Sequence, residues 1–419
     1  MVDGLKLLKV RRRFEAPAVE EPGKRVFEET ARLVRERGLR AGSSVAITAG
    51  SRGVRGITQI CEAAARAVRE AGCEPFFFSS MGSHGRGTAE GQREVLQSLG
   101  ITEEGVGAPV CCSERVVRLG YTSGPLAGLP VYFAAEAADA DAVLALNRIK
   151  PHTSFRGPVE SGLMKMLAVG AGRAEGATMV HGLGWESMAG AIRSIGGVIL
   201  DKLPVLGGIA VVQNGREEPA VVEGVSDGHL PERELELLEV ARGLLPRLPV
   251  DSLDALIVRR MGKDVSGTGM DTNVIGRLRL EGLDEPDAPA IRYLGVLDLS
   301  EGSHGNATGV GLADFTTRRL TEKIDREATY LNCLTSGSPT RAAIPMTLED
   351  DRELLEAIWQ SLKPEDDSGV RLAVVEDTLH LEELWLSEAA VWEASQGGGI
   401  EAVGERRPLG FDSGGALRL

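Results

Sequence analysis

Ser44-Val-Ala-Ile-Thr-Ala-Gly-Ser-Arg-Gly53 is the stretch whose reading decides the fold. An apolar run of strand length, 44–48, breaks into the small-residue loop Ala49-Gly50-Ser51-Arg52-Gly53. An amphipathic helix follows at about 57–71, with Ile57, Ile60, Ala64 and Val68 along one face. The same order returns at once: 75–79 is a second apolar run, Met81-Gly82-Ser83-His84-Gly85 a second loop, and 88–99 a second helix. A strand that is apolar throughout, rather than on alternate residues, is covered on both faces. Strand, glycine loop and helix, twice over, therefore predict a parallel sheet with ligand loops at the carboxyl ends of its strands.

Working outward, residues 24–38 read as a helix with Val26, Phe27, Ala31, Leu33 and Val34 among charged residues. Residues 142–146 are a third buried strand, leading into Asn147-Arg148-Ile149-Lys150-Pro151-His152-Thr153. Residues 159–200 look helical but glycine-broken, 205–212 is a strand, and 231–244 is a leucine-rich helix. Two prolines in 245–251 mark a linker. A second α/β unit starts with a strand at 254–259 and a glycine-rich stretch, 261–276. It continues with a strand near 291–298 and helices near 310–334 and 348–361. The expectation is two α/β domains with mainly parallel sheets, 1–248 and 249–419, and an active site in the cleft between them. The tail alternates short apolar runs with turns, and its end, from about residue 400, is compatible with packing back on the first domain.

Composition narrows the function classes. The formal charge is -14, which disfavours nucleic acid and anionic lipid as partners. Five cysteines without CxxC spacing argue against a disulfide framework and against a thiolate zinc site. Charges interrupt every apolar run near the N-terminus, and no run reaches membrane-spanning length, so a cytoplasmic enzyme is expected. The 53 glycines cluster in short loops after apolar runs, where α/β enzymes keep their ligand sites.

Histidine is scarce, with six in the chain. His84, His152 and His304 stand in turns directly after predicted strands, and His181 follows a glycine-rich helical stretch; imidazole suits proton transfer at neutral pH and ligation of late transition metals. Lys165, in Ser161-Gly-Leu-Met-Lys-Met-Leu167, is flanked by apolar residues. Desolvation there makes an amine nucleophilic. Gly50, Ser51 and Arg52 form a candidate seat for phosphate or carboxylate. A second candidate seat is the loop 263–273, which begins with Lys263. Neither matches a P-loop or a dinucleotide fingerprint. The spacing Ser83-His84-Gly-x-x-Thr88-x-x-Gly91 recurs as Ser303-His304-Gly-x-x-Thr308-x-x-Gly311, a short echo that would fit an internal duplication.

In order, Thr48-Ala-Gly-Ser-Arg52, Met81-Gly-Ser-His84-Gly85, Lys150-Pro-His152, Ser161-Gly-Leu-Met-Lys165 and Val180-His181-Gly182 resemble the nickel-dependent lactate racemase family, most clearly over about 44–183. That resemblance implies a nickel-pincer nucleotide, a pyridinium mononucleotide with two thiocarboxylate-type sulfurs that holds nickel through sulfur, carbon and sulfur. It implies Lys165 as the tethering lysine and His181, sixteen residues on, as the nickel ligand. It further implies His84 and His152 as acid–base residues, Arg52 with Ser51 and Gly50 in cofactor or carboxylate binding, and Lys263 as a substrate-positioning lysine. The implied activity is racemisation or epimerisation of a small 2-hydroxy acid by reversible hydride transfer, with cofactor-building enzymes supplying the nucleotide. The stretch between His152 and Lys165 is longer than in the lactate racemases and carries Arg156, Glu160 and Met164. The loop at Arg52 lacks their aspartate-threonine-arginine-proline pattern, which points to a substrate other than lactate. Two other readings fit the same residues: a hydrolase or lyase with His84, His152 and His181 around one metal, and a non-catalytic protein that binds an anion or nucleotide.

Overall fold

The computed structural model describes residues 4–13, 16–51 and 54–419, and the chain divides into two compact units. One is Ala16–Leu245; the other joins the N-terminal segment to Pro246–Leu419. The first strand, β1 (Lys6–Arg12), lies in the second unit.

The unit Ala16–Leu245 is built on β2 (Ser44–Ala49), β3 (Glu74–Ser79), β4 (Val110–Cys111), β7 (Ala142–Arg148), β8 (Val205–Gln213) and β9 (Pro219–Ser226), with β5 (Val116–Tyr121) and β6 (Pro130–Ala134) forming a separate hairpin. The sheet order is β4-β3-β2-β7-β8-β9, parallel except for the β8–β9 pair. The predicted strands stand within three residues of their observed bounds. Their apolar character is explained by cover on both faces. Ala46, Val143, Ala145 and Ala210 point into one apolar core, while Val45, Ile47, Leu144 and Val211 point into another on the opposite face. Side chains alternate across a strand, so a run must be apolar at every position to serve both. Helices Pro22–Arg37 and Ile57–Glu70 cover one face. Helices Met188–Lys202 and Leu230–Leu244 cover the other.

Strand order makes β2 the turning point. From β2 the chain first builds outward to β3 and β4, then returns to the other side of β2 as β7. Neighbouring loops at such a switch leave opposite faces of the sheet, and in open α/β sheets this is the position where ligand crevices form.

The second unit has the order β13-β12-β11-β10-β14-β15-β1-β16, from β10 (Ser252–Met261), β11 (Ala290–Leu299), β12 (Phe315–Thr317), β13 (Met346–Leu348), β14 (Leu372–Val375), β15 (Glu383–Ser387) and β16 (Ile400–Ala402). β13 through β14 are parallel, and β15, β1 and β16 run antiparallel in turn. The fold class is thus α/β with mainly parallel sheets.

Two organisational expectations change here. The N-terminal strand does not stay with 16–248: β1 inserts between β15 and β16, pairing Leu8 with Leu386 and Val10 with Ala402. Nor does the tail return to the first unit. Arg407 and Pro408 pair with β1, Leu409 and Leu417 join the core around Leu5 and Leu7, and Leu417 N–H donates to Asp351 Oδ2 at 2.8 Å. Strand pairing is chosen by hydrogen-bond and packing partners, to which nearness in sequence is no guide. Among the described residues no helix is long and apolar enough to cross a membrane.

The role of β1 is open to a direct check. Leu7 is fully buried in the core with Leu354, Ile358 and Leu372. Leu7→Ala is expected to destabilise that unit by about 2–5 kcal/mol. Urea unfolding followed by tryptophan fluorescence measures this, since Trp359, Trp385 and Trp392 all belong to it; an unchanged midpoint would count against an integral β1.

Candidate functional site

Three adjacent parallel strands, β3, β2 and β7, deliver their carboxyl-end loops to one edge of the sheet, and these loops carry His84, Ser51 and His152. His84 is held by its own turn. Its Nδ1 lies 2.7 Å from the Met81 carbonyl oxygen and 3.2 Å from Ser51 Oγ, tying the loop after β3 to the loop after β2. Gly82, in the left-handed region at φ +58, lets that turn settle on the helical segment beyond: Gly82 N–H donates to Gly170 O at 3.3 Å. Gly50 is a close-approach glycine, where a Cβ would come within 2.7 Å of Met166 Cε. Helix Ile57–Glu70 does not start directly behind Ser51; Gly56 caps it at φ +75. Arg52 lies outside the described residues.

His152 sits in a turn braced by a buried carboxylate. Glu160, 1% exposed, accepts the backbone N–H of His152 at 2.6 Å and of Gly157 at 3.2 Å, and faces Arg242 at 2.7 Å. Arg156 donates back to the carbonyls of His152 and Phe155. The imidazole stacks on Phe155 with centroids 4.2 Å apart, and Ser154 N–H donates to its Nδ1 at 3.0 Å.

Lys165 ends a single α-turn, Leu163–Lys165, that continues as a π-turn, Met166–Gly170, closed by Ala171 N–H to Met166 O at 2.9 Å. Such π-turns are frequent at functional sites. Leu163, Met164 and Leu167 bury into the core, so Lys165 is half-buried on an otherwise apolar segment, its Nζ 5.6 Å from the centroid of Phe155. Glu234, reaching over from helix Leu230–Leu244, accepts Met164 N–H at 2.8 Å and anchors the turn. Its carboxyl is 1% exposed and is pushed up to about 7 by burial, against the lowering effect of the Met164 and Leu163 amides.

His181 closes helix Arg173–His181. Burial, with the Lys165 ammonium nearby, lowers its pKa to about 4, so the ring is neutral at neutral pH. A helix carboxyl end favours the cation; here desolvation outweighs it. Its Nδ1 is buried and has no hydrogen-bond partner among the described residues. Trp185 links the group, 5.8 Å from the His181 ring and 6.3 Å from the His152 ring. His152, Lys165 and His181 therefore converge around Phe155 and Trp185.

Lys263 belongs to the other unit, in the loop that follows β10. Its Nζ donates to Gly267 O and Asn332 Oδ1, both at 2.6 Å. His304 lies in the same unit in the left-handed region, φ 47, whereas His84 is extended at φ -63. Thr88 caps helix Ala89–Ser98, while Thr308 bonds Asn306 and Asn332. The sequence echo is not a repeated conformation.

Phe155, Trp185, Glu160 and Glu234 escaped the sequence reading as site residues. Trp185 offered a cue, one of four tryptophans and four residues past His181. Glu234 offered none, since in a Glu- and Leu-rich helix it reads as surface.

The carboxyl of Glu234 makes a pH test possible. Its folded pKa is raised from 4.5, so its contribution to stability is fully present below about 4.5 and is lost as pH rises through about 7. Glu234→Gln keeps an acceptor for the turn and removes the ionisation. The variant is expected to lose less stability between those limits, by on the order of 1–3 kcal/mol at the upper end. Urea midpoints across that window measure it; parallel profiles for both proteins would refute the assignment.

Comparison of the sequence with family models gives no match, and comparison with curated proteins gives none. The fold is similar to that of the lactate racemase apoprotein from Thermoanaerobacterium thermosaccharolyticum, with a TM-score of 0.53 and 12% identity over 88% of this chain and 94% of that one. At that identity the likeness establishes the fold.

Proposed function

We propose that the chain is a racemase or epimerase of a 2-hydroxy acid that works with a nickel-pincer nucleotide. The observation that carries the reading is His181: a neutral imidazole with an orphaned, buried Nδ1, beside a half-buried lysine and between aromatic walls. A buried nitrogen without a hydrogen-bond partner is costly unless something binds it. One imidazole is a poor metal site by itself, but it suffices where an organic ligand supplies the remaining donors. The resident residues fit such a group: Lys165 for the tether, His181 as a neutral donor to nickel, and Phe155 and Trp185 as apolar surface for a flat ring. When bound, the nucleotide supplies a carbon that accepts and returns hydride.

The chain's own residues supply proton movement and orientation. His84 and His152, on separate loops, exchange the hydroxyl proton of the substrate. Glu160 and Glu234 hold the His152 turn and the Lys165 turn in place. Lys263, whose ammonium is oriented by two neutral oxygen acceptors, has the chemistry to hold a carboxylate. Histidine-ligated metal hydrolysis fits less well, because no group of three His, Cys, Asp or Glu among the described residues is placed to hold a metal ion.

Protein made together with the cofactor-building enzymes is expected to carry nickel and a mass adduct on Lys165. His181→Ala should lower nickel content at least about tenfold, and His84→Asn should lower turnover by about 10²–10⁴-fold with nickel retained. Active protein with unmodified Lys165 and no nickel would end this reading.

A further inference from the structure

The two loop histidines are wired in opposite senses, and we propose that this gives the resting site a built-in direction: His84 is ready to receive a proton at Nε2, while neutral His152 presents Nε2–H as a hydrogen-bond donor. The inference rests on the reading of the site as one that handles a 2-hydroxy acid, and it names which histidine acts as base in the resting protein.

The wiring follows from what backbone groups can and cannot do. A carbonyl oxygen only accepts, so Met81 O, 2.7 Å from His84 Nδ1, places the ring proton on Nδ1. Ser51 Oγ, 3.2 Å away on the same side, is a second acceptor for that proton. Neutral His84 therefore carries its lone pair on Nε2, and taking a proton there leaves the Nδ1–H bonds intact. A backbone N–H only donates, so Ser154 N, 3.0 Å from His152 Nδ1, places a lone pair on that atom and the proton of the neutral ring on Nε2. His152 cannot accept at Nε2 until its ring proton has moved to Nδ1, and that movement turns an N–H against the Ser154 N–H.

The turn resists such a change. Its backbone is gripped by Glu160 through the His152 and Gly157 amides, Arg242 fixes Glu160, and the ring lies 4.2 Å from Phe155. Losing one hydrogen bond while opposing two donors makes the base form of His152 rarer than its donor form by about tenfold or more. For one hand of the substrate the hydroxyl proton passes straight to His84 Nε2. For the other, His152 must first take the Nδ1–H form and give up the Ser154 bond, the same form it is left in when, as imidazolium, it returns a proton to the product of the first hand. Two enantiomers have equal free energy, so kcat/KM is the same in both directions whatever the wiring, and steady-state rates do not reveal it.

Ring protons do reveal it. Full-length protein labelled with 15N-histidine and made without cofactor is to be examined by two-bond proton–nitrogen NMR, with His84→Gln and His152→Gln spectra assigning the signals. The expected result is an Nδ1–H tautomer at His84 and an Nε2–H tautomer at His152 under conditions where both rings are neutral. The same tautomer at both positions overturns the proposal. As a second arm, Ser154→Pro removes the backbone donor and is expected to raise the Nδ1–H population of His152 about tenfold without altering His84; an unmoved His152 also overturns it. These spectra need neither nickel nor nucleotide. A nickel-free, unmodified but active enzyme would sink the racemase reading and leave the polarity standing, whereas matching tautomers would sink the polarity alone.

Discussion

Parallel pairing of β3, β2 and β7 is the constraint on which the candidate site depends. Parallel strands in register end at the same edge, so whatever follows each strand is brought to its neighbours at a spacing of about 4.8 Å per strand. Ser51, His84 and His152 are separated by up to 101 positions in the chain, yet all follow strands of this one trio. Because β2 is where the chain turns from building one side of the sheet to building the other, the loops beside it diverge and leave room. The apolar cores on the two faces hold the strands in register, since a slip by one residue would exchange the sets of side chains that fill them.

Charge handling around that edge follows from burial. His181 is kept neutral by desolvation and by a cation, Lys165, and its buried Nδ1 has no hydrogen-bond partner among the described residues. Nearby, two carboxyl groups work through the backbone. Glu160 holds the turn that carries His152, and Glu234 holds the turn that carries Lys165. Glu160 belongs to the loop that it braces and Glu234 reaches in from helix Leu230–Leu244; both are 1% exposed, a costly arrangement that is stable because each accepts backbone N–H groups. Positioning of the candidate site's side chains thus depends on buried carboxyl groups that act through backbone amides. Glycine has a corresponding part at two places: at Gly50 a side chain would displace Met166, and at Gly82 the backbone must turn through positive φ.

The short-range features of this protein were legible in the amino-acid order: buried strands of the parallel sheet, the loops after them, the amphipathic helices, and His84 and His152 placed in those loops. Each is set by local patterns of burial and backbone freedom that repeat every two or every 3.6 residues. Chain order alone did not reveal that β1 serves the C-terminal sheet, that the tail stays with it, or that helix Leu230–Leu244 sends Glu234 to the Met164 amide, one residue before Lys165. Nor could it report the tautomer of either loop histidine, which is dictated by a single carbonyl in one turn and a single amide in another. These are choices among partners distant in sequence, or of hydrogen-bond direction, and they are settled when the chain packs and each buried polar group must find its complement.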